Sequence, residues 1–305
     1  SDFGVINKMD ISVGRVSGHG DGFGFFVPDD GGKDMFISPR QMRAVMHGDK
    51  VLARVAGKDR RGRLEAHIVE VLEHEVQQIV GRFYQESGIS FVVPSDSRIQ
   101  DIIIPETAKA DAKNGQIVVV TVMEHPTERS KPVGSVTEIL GDHMAPGMEI
   151  EISMRAARVP HSWPKKVQAE IGKIPMKFDA NVVKNRIDLR ELPLLTIDGE
   201  DAMDFDDAVY CEQSGHDWRL IVAIADVSHY VNPDTALDRE AFNRGNSVYF
   251  PGRVVPMLPD VLSNGLCSIN PDEDKLCLCC EMLIDNNGET KSYKFYPAIM
   301  RSHAR

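Results

Sequence analysis

Residues 14–39 read GRVSGHGDGFGFFVPDDGGKDMFISP, and residues 81–105 read GRFYQESGISFVVPSDSRIQDIIIP. Each opens on Gly-Arg, crosses a turn-rich gap and runs through an apolar strand ending in Val-Pro. An Asp and a second apolar strand ending near Pro follow. HGDKVLARV (47–55) and NGQIVVVTV (114–122) extend the match. Gly14 lies 67 residues before Gly81, and Gly48 lies 67 before Gly115, so two independent landmarks share one offset. The chain therefore contains an internal duplication, which frames every later question about its fold. Each copy holds several short strands between Gly, Asp and Pro turns, the pattern of a small barrel or sandwich.

In the first copy, strand alternation directs Phe23 and Phe25 to one face and Phe26 to the other. Phe36, in DMFIS, joins the outer patch, while Phe26, Val27, Met35 and Ile37 are expected to supply the inward face. A lone strand aromatic is usually core. Two outward rings beside glycines form instead a platform on which bases stack. GDGFGFFVP followed by DMFIS resembles the paired ribonucleoprotein-type motifs of cold-shock domains, which are five-stranded OB barrels. The resemblance implies that Phe23, Phe25 and Phe36 stack on single-stranded nucleic acid, at about 1–3 kcal/mol per base. In the second copy, GISFVVP and DIIIP keep only Phe91, which implies an OB barrel with a weaker or different RNA surface. Phe83 and Tyr84 are the rings that would have to compensate.

The length of 305 residues suggests two or three domains, and 42% hydrophobic content is ordinary globular material. LIVAIA and IVVVTV are strand-length runs, too short to span a bilayer, so no membrane segment is expected. SDFGVINKMD lacks the basic start and apolar core of a secretion signal. Five cysteines, three of them in CLCC, do not make a disulfide framework and point to a reducing, cytoplasmic setting. Cys277, Cys279 and Cys280 fit no common zinc spacing; alternation points Cys277 and Cys279 the same way, as buried structural residues. His19, His47 and His161 lack partners at ligand spacing. GHGDGFG lacks a following Gly-Lys-Ser/Thr and reads as a hairpin rather than a phosphate loop. Net charge is −11, yet KDRRGR (58–63) is basic, and residues 155–190 carry nine Lys and Arg against three acids. That distribution suits a protein that binds a polyanion in places and holds cations in others.

The cations have an obvious destination. TIDGEDAMDFDDAVYCE (196–212) packs six carboxylates between Asp198 and Asp207, with LPLL before and AVYC after. Two carboxylates about 4 Å apart repel by roughly 4 kcal/mol at an effective dielectric of about 20, so something positive or full solvation must offset the crowding. The stretch lacks the ligand order and central Gly of an EF-hand. Spacing alone leaves a solvated acidic turn and a magnesium site for phosphoryl chemistry about level, since hard divalent cations take oxygen ligands.

Around this stretch, WRLIVAIADVSHYV (218–231), LDREAFNRGNSVYFPGRVVPMLP (237–259) and LSNGLCSINP (262–271) mix strands with helices. VPHSWPKKVQAEIGKIP (159–175) reads as a helix in a basic connector, and DNNGE (285–289) as a hairpin turn. Taken with the acidic stretch, these segments resemble the catalytic domain of the ribonuclease II/R family, most like its bacterial ribonuclease R branch. The resemblance covers essentially the whole chain. It implies a multi-domain fold of two all-β OB (cold-shock) barrels, residues 1–74 and 75–142, followed by a mixed α/β catalytic domain at 143–305.

Carried over, it implies a 3′→5′ exoribonuclease that hydrolyses single-stranded RNA to nucleoside 5′-monophosphates with two Mg2+ ions. Asp206 falls on the aspartate required for cleavage; Asp198, Asp204, Asp206 and Asp207 fall on the metal positions. Tyr249 falls on a tyrosine packed against the RNA near its 3′ end. Glu200 and Asp201 match no catalytic position, and Met203 replaces the Arg usual in ribonuclease R relatives. A monomer is implied. The family's catalytic domain and its S1 barrel extend past the residue matching Arg305, so a partial chain with weak or absent turnover is expected. The rival expectation is a non-catalytic tandem OB protein whose whole activity is RNA binding.

Overall fold

A computed structural model describes residues 11–59, 61–199, 202 and 204–304. The chain divides into two compact units, residues 1–159 and 160–305. The expected domain limits at residues 1–10, and the roles weighed for Glu200, Asp201 and Met203, fall outside the described residues.

The first unit holds the duplication. Strands β1 (Ile11–Gly18), β2 (Gly24–Pro28), β3 (Met35–Ile37), β4 (Lys50–Lys58) and β5 (Leu64–Glu73) close a barrel in the order β1-β2-β3-β5-β4. Strands β6 (Gln78–Glu86), β7 (Ile89–Pro94), β8 (Ile102–Ile104), β9 (Gln116–Glu124) and β10 (Val133–Asp142) repeat that order. In both, the third strand runs parallel to the fifth, pairing Phe36 with Glu65 and Ile103 with Val133. These are OB barrels.

The two shared landmarks have physical causes. Gly14 faces Pro28 and Gly81 faces Pro94 where the hairpin strands cross most closely. A Cβ on Gly14 would lie 2.3 Å from the Val27 carbonyl oxygen; on Gly81 it would lie 2.4 Å from that of Val93. Gly48 and Gly115 precede β4 and β9 with φ of +89° and +91°, where a side chain is strained. Their N–H groups donate to Val16 and Phe83 at 2.7 and 2.8 Å, one residue position repeated in each copy.

Alternation holds for the rings and overturns the expectation for one aliphatic. Phe26, Met35 and Ile37 are buried, with Val16, Val51 and Ala53, as the first barrel's core. Val27, expected inward, is 39% exposed. It adjoins Phe26 on a pleated strand and must point the other way.

The barrels are joined through more than their linker. Met46 of the first barrel's loop packs with Ile79, Phe83 and Val118 of the second. Asp49, fully buried, accepts from the Met46 amide at 2.8 Å and meets His74 Nδ1 at 3.3 Å. The His74 ring stacks on His125 at 3.6 Å. After short helix α1 (Pro39–Met42) in the first barrel, α2 (Met148–Ala156) follows the second and buries Met148 against Val80, Ile117 and Val119.

The second unit is built on one sheet. Its strands are β11 (Ile187–Asp188), β12 (Asp207–Ser214), β13 (Asp217–Ala225), β16 (Asp274–Ile284) and β17 (Thr290–Arg301), in the order β11-β17-β16-β13-β12. A separate hairpin pairs β14 (Val248–Phe250) with β15 (Arg253–Val255). Helices α3 (Lys165–Ile171), α4 (Ala180–Lys184) and α5 (Ala236–Arg244) complete the mixed α/β unit. Val167 on α3, Leu237 on α5 and Ile221, Ala223, Cys277 and Cys279 on the sheet share one core. The two cysteines point the same way, as alternation requires. All five cysteines are free thiols. Between β16 and β17 the DNNGE turn is closed by the Gly288 amide on the Asp285 carbonyl at 3.0 Å.

Arg186 and Asp226 form an ion pair at 2.5 Å, with only 10% and 11% of their side chains exposed. Arg186 also donates to the Cys277 carbonyl at 3.2 Å, tying the entry of β11 to the middle of the sheet.

The repeated close crossing gives a direct test. Gly81→Ala should cost about 1–3 kcal/mol by overpacking. Hydrogen exchange at Val118 and Val120, the neighbours in β9, should speed up accordingly, while amides of the second unit stay unchanged.

Candidate functional site

In the second unit, the acidic stretch is a loop with a closed neck. Leu195 and Val209 exchange both backbone hydrogen bonds, at 3.1 and 2.9 Å. The Thr196 amide donates to Ala304 at 3.2 Å, so a third segment braces the same neck. The far side of the loop is anchored at Phe205, whose buried ring joins the core. Its amide donates to Ser268 Oγ at 3.1 Å, and its carbonyl accepts from the Ile269 amide at 2.7 Å. The Asp206 carbonyl accepts from Ala225 at 2.9 Å and starts the β12–β13 ladder.

This scaffold decides where the predicted aspartates go. Asp198 and Asp204 are half-buried; Asp206 and Asp207 are exposed. Asp198 Oδ2 is buried and has no hydrogen-bond partner among the described residues, and the same holds for Thr196 Oγ1. Burial, then the charges of Asp206 and Asp198, hold the Asp207 carboxyl above its ordinary range. Asp207 therefore feels the negative charge of both Asp206 and Asp198. Asp204 stands apart: it accepts a 2.9 Å hydrogen bond from Tyr249 Oη, which pushes the phenol's pKa up. Tyr249 is 63% exposed, not a buried strand aromatic. With Asp204, Phe250, Arg253 and Asn264 it lines a cavity of about 620 Å3.

None of the four aspartates pairs with a lysine or arginine among the described residues. Among those residues no three His, Cys, Asp or Glu side chains are gathered closely enough to form a metal cage. The donor chemistry nevertheless fits a hard divalent cation. A buried, unpartnered carboxylate oxygen and two neighbouring carboxylates lack the positive charge that would offset their crowding.

In the first unit, Phe23, Phe25 and Phe36 form the expected platform, with ring centroids 5.7–6.2 Å apart. His19 stacks on Phe23 at 4.3 Å, and the Arg63 guanidinium covers Phe36 at 4.2 Å. Beside it lies a cleft of about 430 Å3 whose lining includes His19, Arg43, Arg98 and Lys131.

In the second barrel, of the two rings named as possible compensation for the lost motif aromatics, Tyr84 is the one placed to serve. Tyr84 stacks on Phe91 at 5.6 Å, and Arg82 lies over Tyr84 at 5.4 Å. Phe83 is fully buried and contributes nothing outward. The first-copy counterpart of Tyr84, Ser17, has no ring; the cross-strand pairing of Tyr84 with Phe91 brings the two rings together. Ser268 was missed entirely, being 63 residues from the amide it holds.

Comparison with known proteins agrees with this geometry. The Ribonuclease B OB domain family matches residues 14–71, the Cold shock domain family residues 91–164, and the RNB domain family residues 186–305. The chain is 51% identical to ribonuclease R of Acidithiobacillus ferrooxidans, over 99% of its own length and 70% of that protein's. The chain belongs to the ribonuclease R family. It is also 51% identical to ribonuclease R of Escherichia coli K12, spanning 38% of that relative's length. Mycoplasma genitalium RNase R, solved in complex with ribose-methylated single-stranded RNA, superposes with a TM-score of 0.85 at 28% identity. That match covers 96% of this chain and 47% of the other. The cold-shock match falls on the second barrel, while the first, which carries the three-ring platform, matches the family's own OB domain.

The anchoring role of Ser268 can be measured. Ser268→Ala leaves the buried Phe205 amide without its acceptor, which should cost about 1–3 kcal/mol. Exchange at the Phe205 and Ile269 amides should accelerate more than exchange in β16.

Proposed function

We propose that the gene product carrying this chain is a cytoplasmic 3′→5′ exoribonuclease that hydrolyses single-stranded RNA to nucleoside 5′-monophosphates, with Mg2+ as its cofactor. The observation that carries this reading is the buried Asp198 Oδ2, unpartnered among the described residues, in a braced loop whose Asp207 feels the charges of Asp198 and Asp206. Membership of the ribonuclease R family supports the reaction class, and the RNA-bound Mycoplasma relative supports the substrate class. The free thiols support a reducing compartment, and among the described residues no helix is long and apolar enough to cross a membrane.

Each residue then has a task. Asp198, Asp206 and Asp207 hold divalent metal, with Asp206 the residue on which cleavage depends. Asp204 adds a fourth carboxylate, oriented by Tyr249. Four aspartates supply enough negative charge for two divalent ions. Bound there, Mg2+ would supply Lewis-acid stabilisation of the phosphate and lower the pKa of an attacking water. The exposed ring of Tyr249 offers a stacking face to a base near the 3′ end. Phe23, Phe25 and Phe36, with Tyr84 and Phe91, take other bases by stacking, which tolerates any sequence because every base has a π-face.

Asp206→Asn should abolish Mg2+-dependent release of mononucleotides from labelled single-stranded RNA by the gene product while leaving RNA affinity within about twofold. Undiminished turnover in that variant would overturn the reading. Tight RNA binding by the parent without turnover in Mg2+ or Mn2+ would favour a non-catalytic RNA-binding protein instead.

The platforms make a separate prediction. Phe25→Ala should weaken binding of a single-stranded oligonucleotide by about 1–3 kcal/mol, a several-fold to hundredfold loss. Tyr84→Ala should weaken it by a similar amount if the second barrel takes bases too. Fluorescence anisotropy at fixed salt reads both.

A further inference from the structure

Two buried polar atoms without partners among the described residues lie two residues apart in the segment just past the Leu195–Val209 bridge. From Leu194 to Asp198 the chain alternates strictly. Leu194 and Thr196 are 0% and 1% exposed, whereas Leu195 and Ile197 are 36% and 79% exposed. The next inward residue is Asp198, whose Oδ2 is buried. The alternating burial puts Thr196 and Asp198 on the same, inward side of this segment. Just past the isolated Leu195–Val209 bridge, Thr196 lies across the neck from the buried Ala208. The Thr196 hydroxyl therefore faces the buried side of the neck, the side on which Asp198 Oδ2 is also buried. It has no hydrogen-bond partner among the described residues. Buried hydroxyls are nearly always satisfied, by protein or by an ordered water, so an orphan two residues from an equally unpartnered carboxylate oxygen calls for one.

We propose that Thr196 is a positioning residue of the cation site, its hydroxyl binding a water molecule that a divalent ion at Asp198 keeps in its shell. The inference rests on the acidic loop being a cation site. Mg2+ gives up its water reluctantly and is held by few carboxylates plus several waters, so a site built for it needs protein oxygens that receive those waters. Thr196 is the described residue placed to do so from the buried side. Ala208 across the neck offers only a methyl group, and Leu194 below offers only hydrocarbon. Partners of this kind orient the ions' ligands, and their loss typically weakens metal binding 10- to 100-fold.

Thr196→Val keeps the shape and removes the hydroxyl; Thr196→Ser keeps the hydroxyl. The experiment titrates Mn2+ into the full chain, without RNA, by electron paramagnetic resonance. It also follows the thermal unfolding midpoint with and without Mn2+. The expected result is at least tenfold weaker Mn2+ binding in Thr196→Val, with a smaller Mn2+-induced rise in midpoint. Thr196→Ser should remain within about threefold of the parent. In metal-free buffer Thr196→Val should be at least as stable as the parent, because it removes an unsatisfied buried oxygen. Parent-like Mn2+ binding by Thr196→Val overturns the inference and leaves the cation reading standing. A parent chain with no saturable Mn2+ site lost in Asp206→Asn overturns both.

Discussion

Like charges held against the edge of a dry core are the constraint on which the second unit depends. Each carboxylate pair at about 4 Å costs roughly 4 kcal/mol at an effective dielectric near 20. A whole domain is stable by only about 5–15 kcal/mol. A loop in which Asp207 feels the charges of Asp198 and Asp206 thus opposes folding unless something offsets them. The chain answers with restraint on every side. Val209 and Ala304 brace Leu195 and Thr196, Ser268 and Ile269 clamp Phe205, and the β12–β13 ladder starts at Asp206 itself. Loops that merely solvate charge need no such bracing, because they move apart until repulsion is screened.

A different economy governs the two barrels. Closure of a five-stranded barrel fixes what lies inside and where strands cross, so Gly14 and Gly81, or Val16 and Phe83, occupy equivalent places. Outward positions carry no such constraint. There Ser17 has Tyr84 as its counterpart and Phe36 has Ile103, while Phe25 and Phe91 are kept. Each copy retains a pair of touching rings and a guanidinium over one of them, assembled from different strands. The first draws Phe36 from β3 and places Arg63 over it; the second draws Tyr84 from β6 and places Arg82 over it. A stacking surface can be rebuilt this way because only the exposed ring face matters, not the strand that presents it.

What the sequence disclosed follows the range of the interactions involved. Duplication, barrel class, the Phe23–Phe25–Phe36 patch and the paired Cys277 and Cys279 all rest on period-two alternation and short turns, which are local. Val27 was misplaced because four consecutive apolar residues, Phe25 to Pro28, hide the pleat that alternation would reveal. Which of Phe83 and Tyr84 would compensate in the second copy was not legible, because it depends on the cross-strand pairing of Tyr84 with Phe91. Ser268, the Arg186–Asp226 ion pair and the His74–His125 stack join residues 40 or more positions apart, and nothing in their local sequence announces them. The acidic loop was legible as chemistry through its composition. Its geometry was not, since that depends on Ala225, Ser268 and Ala304 arriving from three other segments.

Fold alone leaves catalysis undecided, because barrels and sheets of this kind serve binding as readily as turnover. The stronger argument is energetic. An RNA-binding protein with no reaction to perform gains nothing from carboxylates beside its ligand: they repel the phosphates it must attract, and they strain the loop that carries them. Replacement by Asn or Ser at Asp198, Asp206 or Asp207 would relieve both penalties at once. Basic patches elsewhere suit the polyanion of the proposed substrate. On that proposed reading, a cluster of the opposite sign, braced by a core and by three other segments, is accounted for by a cation standing between it and the phosphate.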